Sequence, residues 1–358
     1  MGDAGPVTTE ATYYQPAEHL SHSHTLTAFP NLPGCYQDAE STARARQEVI
    51  NISLAISQFE PVVLFAHPDH AHVARSMIQS SADPSADITI REVEVDNLWI
   101  RDLGPVFLHS RESGRTEAAV DFNFNYWGHK AEETVDGTFA RRILTSKPYS
   151  SAISRVKAGL VSEGGALEVD GQGTLMVTDT SIVNDNRNPG LSQEQIEEEL
   201  KRVLGVEKVL WLKGVMALES TDWHVDAWAR FVGDVRVVLS KPPRNAHPKI
   251  HEIFDDAMER LPRMTNARGN KIQVVTVDEP DQEKLDGGAI DGMVTSYVNY
   301  LLVNGGVILA KFGQDDADAK ALQVIQGLFP QRKVVQVYIN ELPRLGGGIH
   351  CASQHVPV

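Results

Sequence analysis

Near the C-terminus, Gly346-Gly347-Gly348-Ile349-His350-Cys351 sets a thiol directly behind a glycine run. Cys35 is the only other cysteine, so a cysteine nucleophile comes down to two candidates. Glycines put no side chain beside the thiol, which lets a flat polar group approach closely. A Gly-rich turn before a terminal strand is equally plain architecture, so the thiol needs partners. Residues 222–231 alternate, with Trp223, Val225, Ala227, Ala229 and Phe231 on one side and Asp222, His224, Asp226, Trp228 and Arg230 on the other. Residues two apart in a strand share a face, so this pattern predicts His224 and Asp226 projecting together, with Trp223 and Ala227 pointing away. The same alternation also fits a surface strand with a solvated polar face.

Two more carboxylates stand in distinctive surroundings. Asp102 is expected at the end of a strand running into Gly104-Pro105. A carboxylate beside the indole of Trp99 can wall a pocket for a planar cation, although Arg101 and Asp102 could instead be a structural ion pair. Glu163 is followed by Gly164 and Gly165, then by a hairpin expected around Asp170-Gly171.

The elements that must position these residues recur. Ser192 and Gln195 predict a capping box, Ile196, Leu200, Val203 and Leu204 keep helical spacing, Gly205 stops the helix, and a strand follows over 208–212. The same order is expected with Val49, Ile52, Ile56 and Phe59 before a strand at 62–65. It returns with Ile250, Phe254, Ala257 and Leu261 before 272–277, and with Ala321, Ile325, Leu328 and Phe329 before 334–339. A fainter fifth copy runs from Val135 through Phe139 and Ile143 toward Val161. Apolar strands are also expected at 235–239, 297–303 and 306–311, so each unit reads strand, strand, helix, strand. Such repeats favour a closed α/β assembly over two independent domains, with an open α/β sheet as the competing reading. Residues 1–12 are expected to be a frayed tail and 13–358 a single catalytic domain.

The 358 residues, 42% hydrophobic and 23% charged, suit a globular protein with an extensive core. A formal net charge of −15 disfavours nucleic acid and anionic lipid and would attract a cation. Apolar runs such as 300–303 and 307–310 fall far short of the ~20 residues that span a bilayer, so no membrane partner is expected. Two distant cysteines and no leader of signal-peptide type imply a reducing, cytoplasmic setting.

Six stretches, taken in order, resemble the agmatine deiminase and bacterial-type peptidylarginine deiminase family of the guanidino-group-modifying superfamily. They are Trp99-Ile100-Arg101-Asp102-Leu103-Gly104-Pro105, Phe124-Asn125-Tyr126-Trp127-Gly128, Glu163-Gly164-Gly165, Asp185-Asn186-Arg187-Asn188-Pro189, Thr221-Asp222-Trp223-His224-Val225-Asp226 and 346–351. The resemblance implies a five-bladed α/β propeller. It makes Cys351 the nucleophile, His224 the general acid and base, Asp102 and Asp226 the carboxylates that grip a guanidinium, and Glu163 the acid that hydrogen-bonds the catalytic region. Trp99, Trp127 and Gly348 join Asp102 and Asp226 around the substrate. The implied reaction converts agmatine to N-carbamoylputrescine and ammonia, with no metal or cofactor, in putrescine synthesis. An arginine or protein-arginine deiminase, an amidinotransferase and a non-catalytic binding propeller are the alternatives, and a homodimer stays open. The chain departs from the family at Leu26 and Phe29, where tryptophans are usual, and at Trp223 and Ala227, where glycine and asparagine are usual. Loss of the two tryptophans is expected to alter the far end of the pocket.

Other polar stretches are read as structural. His67-Pro68-Asp69-His70-Ala71-His72 is expected at a surface helix entry rather than at a metal, and His22 and His24 likewise at the surface. Cys35 reads as a passive thiol, Asn186-Arg187-Asn188-Pro189 as a turn fixing the next helix, and Glu197-Glu198-Glu199 as a solvated helix face.

Overall fold

The computed structural model describes residues 11–31, 38–233 and 235–358. Cys35 and most of the expected N-terminal tail lie outside the described residues. No helix among the described residues is long and apolar enough to cross a membrane.

The fold is mixed α/β and contains five separate sheets. Each carries the same motif: two antiparallel strands, then a helix-bearing crossover to a third strand parallel to the second. Val106–Ser110, Thr116–Asp121 and Ser154–Lys157 make the first, extended at its edge by Tyr13–Tyr14. Glu168–Val169, Thr174–Thr178 and Lys208–Leu212 make the second. Ala229–Val232, Arg236–Lys241 and Gln273–Asp278 make the third, and Leu301–Val303, Gly306–Lys311 and Lys333–Tyr338 the fourth. The fifth draws on both ends of the chain: Ser353–Pro357 runs antiparallel to His22–Phe29, which pairs in parallel with Val62–Ala66 and through it with Ile88–Glu92. Terminal strands that share a sheet tie residue 353 to residue 27, and so hold the segment just before it.

The crossover helices follow the periodicity read from sequence. In Gln193–Leu204 the Ser192 side chain accepts from the Gln195 amide and the Gln195 side chain answers at Ser192. Ile196, Leu200, Val203 and Leu204 are its buried stripe, and Gly205 ends it at φ 62°, a conformation glycine adopts without a Cβ penalty. Ala39–Ser57, Pro248–Arg260 and Asp315–Leu328 occupy the other expected positions. The faint copy is weaker in fact: a 3-10 turn, Val135–Thr138, leads into the short helix Phe139–Leu144.

Three local expectations fail for one reason, that turns override an alternating or apolar pattern. Ile100–Leu103 is a helical turn rather than a strand. Within 222–231, Asp222 and Trp223 take left-handed φ of 61° and 79°, Val225–Ala227 is a 3-10 turn, and only Ala229–Val232 is strand. The strand expected from 297 begins only at Leu301. His22 is also buried, not exposed: its Nδ1 lies 3.1 Å from Glu60 and its ring stacks on His355.

Candidate active site

Polar residues cluster just ahead of the first strand of each sheet. Asp102 precedes Val106–Ser110, Glu163 precedes Glu168–Val169, and His224 and Asp226 precede Ala229–Val232. Asn299 precedes Leu301–Val303, and Cys351 precedes Ser353–Pro357. Equivalent positions in five repeated units thus bring residues from across the chain to one place.

The Cys351 thiol is buried and sits 3.6 Å from Asp226 Oδ2, while Asn299 Nδ2 donates to its sulfur at 3.3 Å. Asn299 Oδ1 also receives the His350 amide at 3.0 Å, so one side chain fixes both the sulfur and the backbone that carries it. The glycines matter here through close approach. A Cβ on Gly347 would stand 2.6 Å from the Trp99 ring, and one on Gly348 2.6 Å from Asn299 Oδ1. Burial, followed by the charges of Asp226 and Asp102, pushes the Cys351 thiol well above the ordinary thiol range.

His224 faces two carboxylates: its Nε2 lies 3.3 Å from Glu163 Oε2 and its Nδ1 3.7 Å from Asp102 Oδ1. Burial alone would depress the imidazole, but Asp102, Glu163 and Asp226 together raise it to about 9, so it is an imidazolium at neutral pH. Asp102 receives the Trp127 indole N–H at 2.8 Å and the Gly165 amide at 3.1 Å. Trp127 reaches it from a turn with left-handed φ at Tyr126 and Trp127, held by the Gly128 amide on Asn125 Oδ1. Burial, outweighing the His224 charge, pushes the Asp102 carboxyl up to about 6. Glu163 is wholly buried; burial pushes its carboxyl up, but Arg187 and then His224 hold it below its usual range.

Arg187 belongs to this cluster although its stretch reads in sequence as a turn. Its Nε bonds both Glu163 oxygens at 2.9 and 3.0 Å and its Nη1 bonds Asp222 at 2.8 Å. The match of that stretch to a family motif was the available signal. Asn299 carried none. Arg101 does not pair with Asp102, the alternative weighed above. It turns instead toward Glu18 at 3.3 Å and donates its Nε to the His350 carbonyl.

A cavity of about 520 Å³ opens onto Cys351, His224 and Asp226. Among the described residues lining it are Glu219, Glu279, Glu283 and Asp291, and none is lysine or arginine. Trp99, Trp127, Gly348, Asp102 and Glu163 are not among these lining residues. The family departures divide in the opposite way to expectation. Leu26 and Phe29 are fully buried in the core, whereas Trp223 and Ala227 line the cavity alongside His224, because the left-handed turn at 222–223 breaks the alternation.

A buried thiol, an imidazolium and two carboxylates beside an acid-lined cavity suit chemistry on a planar cationic carbon. The chain is similar to known proteins over nearly its whole length. The profile of the Porphyromonas-type peptidyl-arginine deiminase family matches residues 14–357. A Streptomyces coelicolor relative is 36% identical over 354 residues, covering 97% of this chain and 99% of its own. The agmatine deiminase of Stutzerimonas stutzeri is 34% identical, with 96% of this chain and 95% of that one covered. The solved structure of Enterococcus faecalis agmatine deiminase superposes with a TM-score of 0.85 at 29% identity, over 99% of each chain.

Proposed function

The chain belongs to the Porphyromonas-type peptidyl-arginine deiminase family, and on that premise we propose that it hydrolyses agmatine to N-carbamoylputrescine and ammonia through a covalent thiouronium on Cys351. The observation that carries the substrate is the cavity wall, with five carboxylates and, among the described residues, no lysine or arginine. Agmatine is cationic at both ends and suits such a wall. Free arginine brings a carboxylate that would meet five acids and no lysine or arginine among the described lining residues, an arrangement that costs affinity.

Asp226 and Asp102 grip the guanidinium, whose paired N–H groups match a carboxylate fork. Cys351 starts as a thiol, and the arriving cation offsets the two carboxylates that hold its proton on. The thiol proton passes to solvent through the cavity that Cys351 lines, and the sulfur attacks the central carbon. The C–S bond forms and the displaced π pair settles on nitrogen, giving a tetrahedral adduct. His224, protonated at neutral pH, donates to the departing nitrogen, the C–N bond breaks and ammonia leaves. Water then adds to the thiouronium carbon while neutral His224 takes its proton. The C–S bond breaks, the ureido product departs, and the sulfur is reprotonated.

Further parts of the same reading are that the five sheets are blades of a propeller formed by one catalytic domain, that the enzyme works in the reducing cytoplasm, and that its product feeds diamine synthesis. The five repeated units, each delivering polar residues from the entry of its first strand, support the propeller. The test is ammonia and ureido product from agmatine, arginine and a blocked arginine peptide, with wild type and Cys351→Ser. Turnover of agmatine that the variant lacks is expected. Turnover of only arginine or the peptide would overturn the substrate, and turnover by Cys351→Ser would overturn the mechanism.

A further inference from the structure

His350, next to Cys351 in sequence, is almost wholly buried. Its Nδ1 lies 2.7 Å from Asp226 Oδ2 and its Nε2 lies 2.7 Å from Glu18 Oε2. Both acids are held ionised. Burial pushes each upward, but His350, His224 and Arg230 keep Asp226 below its usual range, and Arg230, His350 and Arg101 keep Glu18 well below. The ring therefore bridges the two carboxylates through both of its nitrogens.

Glu18 does not line the cavity. It comes from the segment before His22–Phe29. Its Oε1 accepts from Arg230 at 3.0 Å and from the Leu302 amide at 2.8 Å, while Oε2 also faces Arg101 at 3.3 Å and His355 at 3.5 Å. Arg230 is itself anchored on Glu168 at 2.7 Å. At the other end of the chain of contacts, Asp226 Oδ2 is taken by His350, leaving Oδ1 buried with no hydrogen-bond partner on a residue that lines the cavity.

We infer that His350 and Glu18 are positioning residues for substrate binding. The His350 ring clamped between the two carboxylates fixes the rotation of Asp226, so that its unpartnered oxygen meets the guanidinium, and Glu18 holds that ring in place from behind. Without the clamp Asp226 can turn its free oxygen elsewhere, and the carboxylate fork is no longer ready when substrate arrives. This role rests on the deiminase reading above.

The test is a double-mutant cycle of Glu18→Gln and His350→Asn on agmatine turnover, scaled to the fraction of alkylatable Cys351, with guanidine hydrochloride as a competitive probe. Each single change is expected to lower kcat/KM about 100-fold, mostly through KM, and to raise the inhibition constant for guanidinium by a similar factor. The double variant should be no worse than the poorer single, because both changes break one chain. His350→Asn, which keeps an amide N–H toward Asp226, should retain more activity than His350→Leu. Multiplying losses in the double variant, or an unchanged KM and guanidinium constant in the singles, overturns the inference. If either single variant fails to fold, the KM and inhibition constant of the other decide it. A wild-type enzyme inert toward agmatine would instead sink the functional reading, so the two failures are distinguishable.

Discussion

Gly165 offers the sharpest test of the site's geometry. Its φ lies outside the left-handed region, so alanine fits the backbone and the consequence is confined to what a methyl group would touch. That methyl would stand 2.6 Å from His224 Nδ1, 2.9 Å from Asp102 Oδ1 and 3.1 Å from Asp226 Oδ2. To restore ordinary contact the imidazole must retreat by about 0.8 Å, and the two carboxylates by a few tenths of an ångström. Displacements on the order of 1 Å in catalytic groups cost roughly 100-fold in rate, equivalent to about 2.7 kcal/mol of barrier. Gly165→Ala should therefore lower kcat about 100-fold. Its thermal midpoint should fall only modestly, since the clash can relax into the adjacent cavity. Ammonia release under saturating agmatine measures the first, and circular dichroism on heating the second. A variant within threefold of wild-type kcat would mean that these three groups do not act from the positions described.

Three other expectations follow from the same contacts. The pH profile of kcat/KM should rise through about 6 as Asp102 ionises and fall above about 9 as His224 loses the proton it must donate; an optimum well above 9 would mean that the thiolate forms before substrate binds. Arg187→Met leaves buried Glu163 without its guanidinium and Asp222 with Lys130 alone, which should destabilise the fold by roughly 3–5 kcal/mol in urea titration; a loss under 1 kcal/mol would show that the buried pairs are not what holds Glu163 in place. Trp223→Gly relieves a left-handed tryptophan, worth about 1–2 kcal/mol, while opening the cavity wall; KM for agmatine should rise about tenfold with the fold intact, and an unchanged KM would remove the indole from the substrate's surroundings.

Much of the fold was legible because it is written in long periodic segments. The stripe of Ile196, Leu200, Val203 and Leu204 between Ser192 and Gly205 has one good solution, a capped helix packed on its sheet, and the structure adopts it. The failures fall where short segments carry chemistry. At 222–231 the pattern alternates as a strand does, yet Asp222 is drawn into ion pairs with Arg187 and Lys130 and its carbonyl accepts from Thr180. Those tertiary contacts pin a left-handed backbone that no local pattern announces. The alternation rightly makes His224 and Asp226 neighbours in space, but it sends the two residues that flank them, Trp223 and Ala227, to the wrong side.

The site's partners divide in the same physical way. Cys351, His224, Asp102 and Glu163 are conspicuous because each sits beside glycine, another ionisable group or an indole. Asn299, Arg187 and Glu18 look ordinary, because what gives each its role is a contact made across a long stretch of chain. Glu18 and His350 lie near opposite termini, and their meeting depends on the terminal strand Ser353–Pro357 pairing with His22–Phe29. The closure that completes the fifth sheet thus also completes the polar chain behind Asp226. A lesion that loosens the terminal pairing should weaken guanidinium binding before it unfolds the remaining four sheets, since the clamp on Asp226 spans the seam and their own strand pairings do not.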